Sequence, residues 1–213
     1  MSAEEILKKL KEAIVEGEPE KTILVVNEAI DQALDLKDIL NEGVIKAAEE
    51  VGTLYEKEEY FLADLLMTGD ALKAAMEILK SKLAEDPVIK PLGSILIGTV
   101  QGDIHDIGKS LVVSLLRGQT FDVIDLGSDV PPEIFVEKAK GINPDVIGLS
   151  GLLTMSISKM HETILLLKKA GIPSKIIIGG GIVSKDSCAM IGADDCAKDG
   201  YEGIKKIKKI ISE

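Results

Sequence analysis

From the start of the chain to about residue 84, apolar positions recur every three or four residues, the spacing of helices that each bury one face. Ser2 followed by Glu5 has capping-box spacing. Gly17 and Pro19 punctuate the pattern, and Pro19 suits the first turn of a second helix running towards Asp35. A third helical segment is predicted over 36–57, and a fourth from Phe61, in which Leu65, Leu72, Met76 and Leu79 share a face. Four helices with short connections predict a small bundle.

The pattern changes at 85–93, where Pro87, Pro91 and Gly93 fall together. This break predicts a helical domain over 1–86, a linker over 87–93 and a second domain over 94–213. In the second domain short β-rich runs at 94–100, 122–126, 146–150 and 175–178, with a weaker one at 195–198, alternate with helical stretches at 107–116, 132–140, 156–170, 185–191 and 201–211. Such alternation predicts an α/β domain with a doubly wound parallel sheet, flavodoxin-like or Rossmann-like, whose ligand crevice lies at the carboxyl ends of the strands.

Composition narrows the function classes. With 46% hydrophobic and 29% charged residues the chain is far from the composition of disordered segments. A net charge of −11 opposes broad contact with nucleic acid or an anionic membrane. No apolar run approaches membrane-spanning length, and residues 1–20 lack the apolar centre of a signal peptide, so a cytoplasmic location is expected. Cys188 and Cys196, outside CxxC spacing, read as two free buried thiols rather than a zinc site or disulfide framework. Aromatic residues make up only 3% of the chain, yet Tyr55, Tyr60 and Phe61 lie within one short segment.

The chemistry-bearing residues fall after the predicted strands. The first strand runs into Gln101-Gly102-Asp103-Ile104-His105-Asp106-Ile107-Gly108-Lys109, with glycines that permit tight turning and Asp103 and His105 projecting between them. The imidazole can offer a lone pair to a metal while the carboxylate two residues earlier orients its other nitrogen. The same residues also suit a turn with a solvated histidine, or a helix cap made by Asp106. The third strand ends in Ser150-Gly151-Leu152-Leu153-Thr154-Met155-Ser156 and the fourth in Gly179-Gly180-Gly181. Hydroxyls and bare backbone at one sheet edge suit a narrow polar slot for a long appendage, although helix capping by Ser150, Thr154 or Ser156 and a plain glycine turn account for each loop alone. His161, inside a predicted helix, reads as a surface or satisfied core histidine.

Asp103-x-His105-x-x-Gly108, then Ser150-x-Leu152, then Gly179-Gly180, resembles the cobalamin-binding signature of the base-off, His-on corrinoid proteins. The resemblance covers the whole chain. The helical part is similar to the cap module of cobalamin-dependent methionine synthase. The two-module length resembles the corrinoid proteins of methylamine, methanol, glycine betaine and aryl methyl ether methyltransferase systems. The resemblance implies that His105 is the lower axial ligand of cobalt, that Asp103 hydrogen-bonds it and that Ser156 extends the relay. It implies cofactor contacts from Gly102, Ile104, Asp106 and Gly108, from Ser150, Leu152 and Thr154, from Gly179, Gly180 and Gly181, and from Asp199 and Gly200. In the cap, Tyr60-Phe61-Leu62-Ala63-Asp64 resembles the segment whose aromatic residue covers the upper corrin face; Ala63 replaces the usual proline. Leu65 joins Phe61 as a candidate contact, with bundle core as its simpler reading.

The implied function is a methyl carrier without turnover of its own. It would accept a methyl group on the cobalt of cobalamin or a related corrinoid from a substrate-specific methyltransferase and present it to a second methyltransferase with a pterin or thiol acceptor. A reductive activation protein is a further implied partner. A subunit of an adenosylcobalamin-dependent mutase would share the His105 loop but leave the helical cap unexplained. A cobalamin-sensing module would require a nucleic-acid-binding part that the acidity opposes.

Overall fold

The computed structural model describes residues 2–83 and 91–212. The chain divides into two compact units, 1–90 with 114–120, and 91–113 with 121–213. Residues 84–90, which carry the first part of the expected linker, lie outside the described residues; Pro91, Leu92 and Gly93 lead into the first strand.

In the first unit, α1 (Ala3–Val15) begins where Glu5 N donates to Ser2 Oγ at 3.3 Å and Ser2 N donates to Glu5 Oε2 at 2.8 Å, the reciprocal capping that the sequence predicts. Pro19 occupies the first position of α2 (Pro19–Asp31). The third predicted helix departs from regularity: α3 (Leu36–Asp38) passes into a π-helical stretch, Ile39–Ile45, before α4 (Lys46–Glu56). Gly43 in that stretch is the point of close approach, since a Cβ there would lie 2.6 Å from Leu10 Cδ2. Helix α5 (Leu62–Leu83) starts one residue after Phe61, whose N–H donates to Asp64 Oδ2 at 2.8 Å. Asp64 thus supplies the backward half of a capping box, which lets the helix begin without the proline that Ala63 replaces. Ile6, Leu10 and Ile14 of α1, Val26 of α2, Val51 of α4 and Leu65, Leu72 and Leu79 of α5 are buried in this unit. Tyr60 Oη donates to the Val15 carbonyl at 2.9 Å, satisfying an acceptor at the open end of α1.

The second unit alternates β1 (Ser94–Thr99), α6 (Ile107–Arg117, whose residues from Ser114 on fall in the first unit), β2 (Asp122–Asp125), α7 (Pro132–Ile142), β3 (Val146–Ser150), α8 (Thr154–Lys169), β4 (Lys175–Gly179), α9 (Lys185–Ile191), β5 (Asp195–Ala197) and α10 (Gly200–Ser212). All five strands are parallel, in the order β2-β1-β3-β4-β5. This is the flavodoxin-like winding, in which the order of strand addition reverses between β1 and β3. Strands this apolar are buried on both faces, as the run Ile95, Leu96 and Ile97 is. Register places Thr99 beside Ser150, Ser150 beside Gly179 and Gly179 beside Ala197, so four strands end in one row.

Phe135 of α7 is fully buried over this sheet, with its ring so close to Gly98 that a Cβ there would lie 2.8 Å from Cζ. Phe135→Ala should therefore lower stability by about 3–5 kcal/mol through lost burial and a cavity. Urea unfolding checks this; a loss under about 1 kcal/mol would show that the helix does not depend on that contact.

Candidate functional site

The row of strand ends leads into the loops that carry the candidate residues. After β1, Gly102 adopts φ +83°, a left-handed turn that a side chain strains, and the chain then reverses so that Asp103 points inward. The expectation that Asp103 projects from the loop beside His105 needs correction: its side chain is fully buried, whereas that of His105 is 51% exposed.

Asp103 Oδ1 accepts from His105 N at 3.0 Å and lies 2.7 Å from His105 Nδ1. Oδ2 accepts from Leu152 N at 2.7 Å, Leu153 N at 3.2 Å and Ser156 Oγ at 2.7 Å. Burial alone would raise the pKa of this carboxyl. The hydrogen bonds from Ser156, Leu152 and His105 outweigh burial and hold it well below the usual carboxylate range. An ionised carboxylate only accepts, so Nδ1 of His105 carries the proton, and in the neutral ring the lone pair belongs to Nε2.

Helix α8 follows from the same contact. Its N-cap is Leu153, which has no capping side chain, and Asp103 receives the Leu152 and Leu153 amides from across the sheet edge. Ser156, fully buried in the first turn, donates to Asp103 rather than capping its own helix. Thr154 at the first helical position is exposed, and Ser150 at the end of β3 is half-buried.

The glycine row is tightly built. Gly180 adopts φ +121°, and a Cβ there would overlap the Gly151 carbonyl, so the loops after β3 and β4 touch through bare backbone. Gly151 N donates to the Gly179 carbonyl at 3.0 Å and Gly180 N to Ala197 O at 3.3 Å. A Cβ at Gly181 would meet Leu152 Cδ1 at 3.4 Å, whereas one at Gly108 would meet nothing within 4 Å. Gly108 is not a turn glycine: it lies in the first turn of α6, and its smallness keeps that surface bare. Asp106 is exposed, and its carbonyl, not a capping side chain, accepts from Ser110 N at 2.7 Å.

Asp199 Oδ1 accepts from Glu202 N at 2.8 Å, while Lys198 N donates to Glu202 Oε2 at 2.9 Å, so Asp199 caps α10; Gly200 opens that helix against Val112. In the helical unit Phe61 is 65% exposed, whereas Leu65, at 2%, belongs to the bundle core. His161 Nδ1 lies 3.2 Å from the Ile191 carbonyl and is a satisfied, half-buried histidine. Cys188 and Cys196 are free and buried, and burial beside Cys196 pushes the Cys188 thiol up to about 11.

Sequence reasoning named Ile104 and Leu152 but missed Ile107, Leu153 and Met155 of the apolar collar. Ile104, at 75% exposure, is joined by exposed Leu152 and Leu153 in the loop after β3, by Ile107 at the start of α6 and by Met155 in the first turn of α8. Apolar residues in loops that pack into no core were a readable signal of a covered surface. It also passed over Lys109, which is buried and bonds both oxygens of Asp125 at 2.6 Å; a lysine in a first helical turn gives no such signal.

A corrinoid fits these features. One imidazole with its Nδ1 fixed offers Nε2 to a metal from a half-exposed position, exposed apolar side chains surround it, and glycine backbone leaves room beside β3 and β4.

A family model described as B12 binding domain matches residues 93–206, and a second of the same description matches 6–80. Dimethylamine corrinoid protein 1 of Methanosarcina acetivorans is 38% identical, with 100% of both chains covered. A crystal structure of a cobalamin-binding protein from Desulfitobacterium hafniense aligns with a TM-score of 0.75 and 33% identity over 96% of this chain and 98% of its own. The methanol:cobalamin methyltransferase complex of Methanosarcina barkeri aligns with a TM-score of 0.87 and 27% identity, over 98% of this chain and 80% of that one.

The carboxylate predicts an acid dependence. A group whose folded pKa is depressed stabilises fully above its unfolded value, about 3.9 for Asp, and loses that contribution as pH falls below it. Asp103→Asn should therefore be less stable than the parent at pH 7 by roughly 2–4 kcal/mol, because two amides and a hydroxyl lose their acceptor. The gap should narrow as pH falls from about 5 towards 2. Denaturation midpoints of both proteins across that range check this; a gap independent of pH would mean that Asp103 is not ionised in the folded protein.

Proposed function

The chain belongs to the corrinoid proteins built on B12 binding domains, and from that premise we propose that it carries methyl groups between two methyltransferases, with His105 as the lower donor to cobalt. The observation that carries the proposal is the 2.7 Å contact of His105 Nδ1 with Asp103, which leaves Nε2 as the donor atom. When bound, the corrinoid supplies the cobalt on which a methyl group is held between one methyltransferase and the next.

The chain's own residues orient and shield. Asp103 keeps the Nδ1 proton in place and fixes the ring so that Nε2 is the free donor, while Ser156 and the amides of Leu152 and Leu153 hold Asp103. Gly102, Ile104, Asp106 and Gly108 frame the histidine. Ser150 and Thr154 offer hydroxyls, with Leu152 beside them, and Gly179, Gly180 and Gly181 provide the bare wall of a slot for the cofactor's nucleotide tail. Ile104, Ile107 and Met155 would exclude water near the imidazole. Phe61, exposed at the start of α5, is our candidate for shielding the reactive face, whereas the buried Leu65 supports it from within its own unit. Asp199 caps α10, and Gly200 at the start of that helix stands beside Gly108, whose carbonyl oxygen would lie 3.6 Å from a Cβ there.

A methyltransferase partner is supported by the methanol:cobalamin methyltransferase complex among the similar structures. Within the proposal the first partner is specific for the methyl donor and the second serves a pterin or thiol acceptor. A reductive activation protein restores cofactor that has been oxidised. The chain alone carries the group without turning over substrate. Among the described residues no helix is long and apolar enough to cross a membrane. We place the carrier in the cytoplasm, with the helical domain at 1–86, the linker at 87–93 and the cofactor domain at 94–213. The mutase and sensor alternatives are less well supported, because the matched relative is a dimethylamine corrinoid protein over its full length.

Two outcomes check this reading. The purified chain should bind cobalamin with the visible spectrum of a base-off, His-on form, and His105→Ala should abolish the His-on features; an unchanged spectrum would remove His105 from the metal. Phe61→Ala should shorten the lifetime of the reduced cofactor under controlled oxygen, and an equal lifetime would remove Phe61 from the shielding role.

A further inference from the structure

The connection between β2 and α7 contains a residue in an unfavourable backbone conformation. Asp129 is exposed and adopts φ +55°, in the left-handed region that few residues other than glycine enter without strain. Asp tolerates that region better than most, but nothing buried there demands it. Two hydrogen bonds account for the choice. Asp129 N donates to the Asp103 carbonyl at 2.9 Å, and Asp129 Oδ1 accepts from Gly102 N at 2.7 Å. The left-handed turn lets one residue grip the peptides on both sides of Gly102 and Asp103.

The rest of the connection acts on the same segment. Thr99 N donates to Gly127 O at 2.9 Å, Val130 N to Thr99 O at 3.0 Å, and Thr99 Oγ1 to the His105 carbonyl at 3.1 Å. At the far end, Asp125 binds buried Lys109 through both oxygens at 2.6 Å and accepts from Gly127 N at 2.9 Å. The stretch 102–109 is thereby held near both ends from a single connection, and its middle presents His105.

We propose that Asp129 is a positioning residue for the His105 loop: its side-chain oxygen and its backbone amide fix the Gly102–Asp103 peptides so that the Asp103 carboxylate turns inward and the imidazole turns outward. The inference rests on the reading of His105 as the cobalt donor, and goes beyond it by assigning the loop's geometry to a residue of the connection after β2 whose hydrogen bonds go to the loop's backbone. Asp129 acts through backbone, so its effect depends on an acceptor oxygen at a left-handed position and not on its charge.

The test uses three full-length proteins, the parent, Asp129→Asn and Asp129→Gly. Asn keeps an acceptor oxygen and tolerates positive φ; Gly relieves the conformation and removes the acceptor. Amide exchange is followed by NMR without cofactor, with Ile176 in β4 as a control for global stability, and cobalamin binding is then titrated by visible absorption. Asp129→Gly should exchange at Gly102 about tenfold faster or more, with Ile176 unchanged, and should bind cobalamin about tenfold more weakly, the scale of one lost hydrogen bond. Asp129→Asn should stay within about threefold of the parent in both readouts, as expected where the acceptor oxygen is retained. Parent-like behaviour of Asp129→Gly, or equal damage in both variants, would overturn the proposal. If the parent shows no His-on spectrum, the functional reading fails separately, and exchange at Gly102 without cofactor still decides whether Asp129 holds the loop.

Discussion

One buried carboxylate organises the cofactor face of this protein. Asp103 is fully buried and remains ionised, a state that is expensive unless donors surround it. Three backbone amides, one hydroxyl and one imidazole nitrogen do so. The same bonds stop the loop after β1, begin α8 and set the protonated nitrogen of His105. Replacing the carboxylate disturbs all three, because all five donors converge on its two oxygens. Local folding and the orientation of the His105 ring are therefore coupled through one side chain.

The sheet gives that carboxylate its reach. Parallel winding in the order β2-β1-β3-β4-β5 brings Thr99, Ser150, Gly179 and Ala197 into one row. Loops distant in sequence then meet across single residues, as Asp103 meets Ser156. Close approach demands small residues, and the Gly180 backbone against the Gly151 carbonyl leaves no space for a Cβ. The exposed apolar side chains of Ile104, Ile107 and Met155 complete a surface suited to a large, mostly apolar ring with a polar appendage.

Much of this was legible in the sequence. The capping box at Ser2 and Glu5, Pro19 at a helix start and the five strands follow from local rules, and their bounds shift by a residue or two at most sites. The pairing of Asp103 with His105 was readable because the two residues are close in sequence. Long-range contacts were not. Gly43, within the π-helical stretch, packs against Leu10 more than thirty residues earlier, and the inward turn of Asp103 depends on amides some fifty residues away. Lys109 and Asp129 look like ordinary surface charges until the connection after β2 is seen to bind both ends of the His105 loop. Family resemblance supplied the roles of Ser150, Thr154 and the glycine row, which spacing alone left divided between capping, turning and binding.

The most direct measurement is the electron paramagnetic resonance spectrum of the protein loaded with cobalamin and reduced to the cobalt(II) state. A single histidine nitrogen on the lower face splits each cobalt line into three, and growth on histidine labelled with nitrogen-15 should convert each triplet to a doublet. His105 as donor predicts that conversion, and its loss in His105→Ala. A triplet that persists after histidine labelling would place the cofactor's own base on cobalt and contradict the assignment of the Asp103-held imidazole as the lower donor.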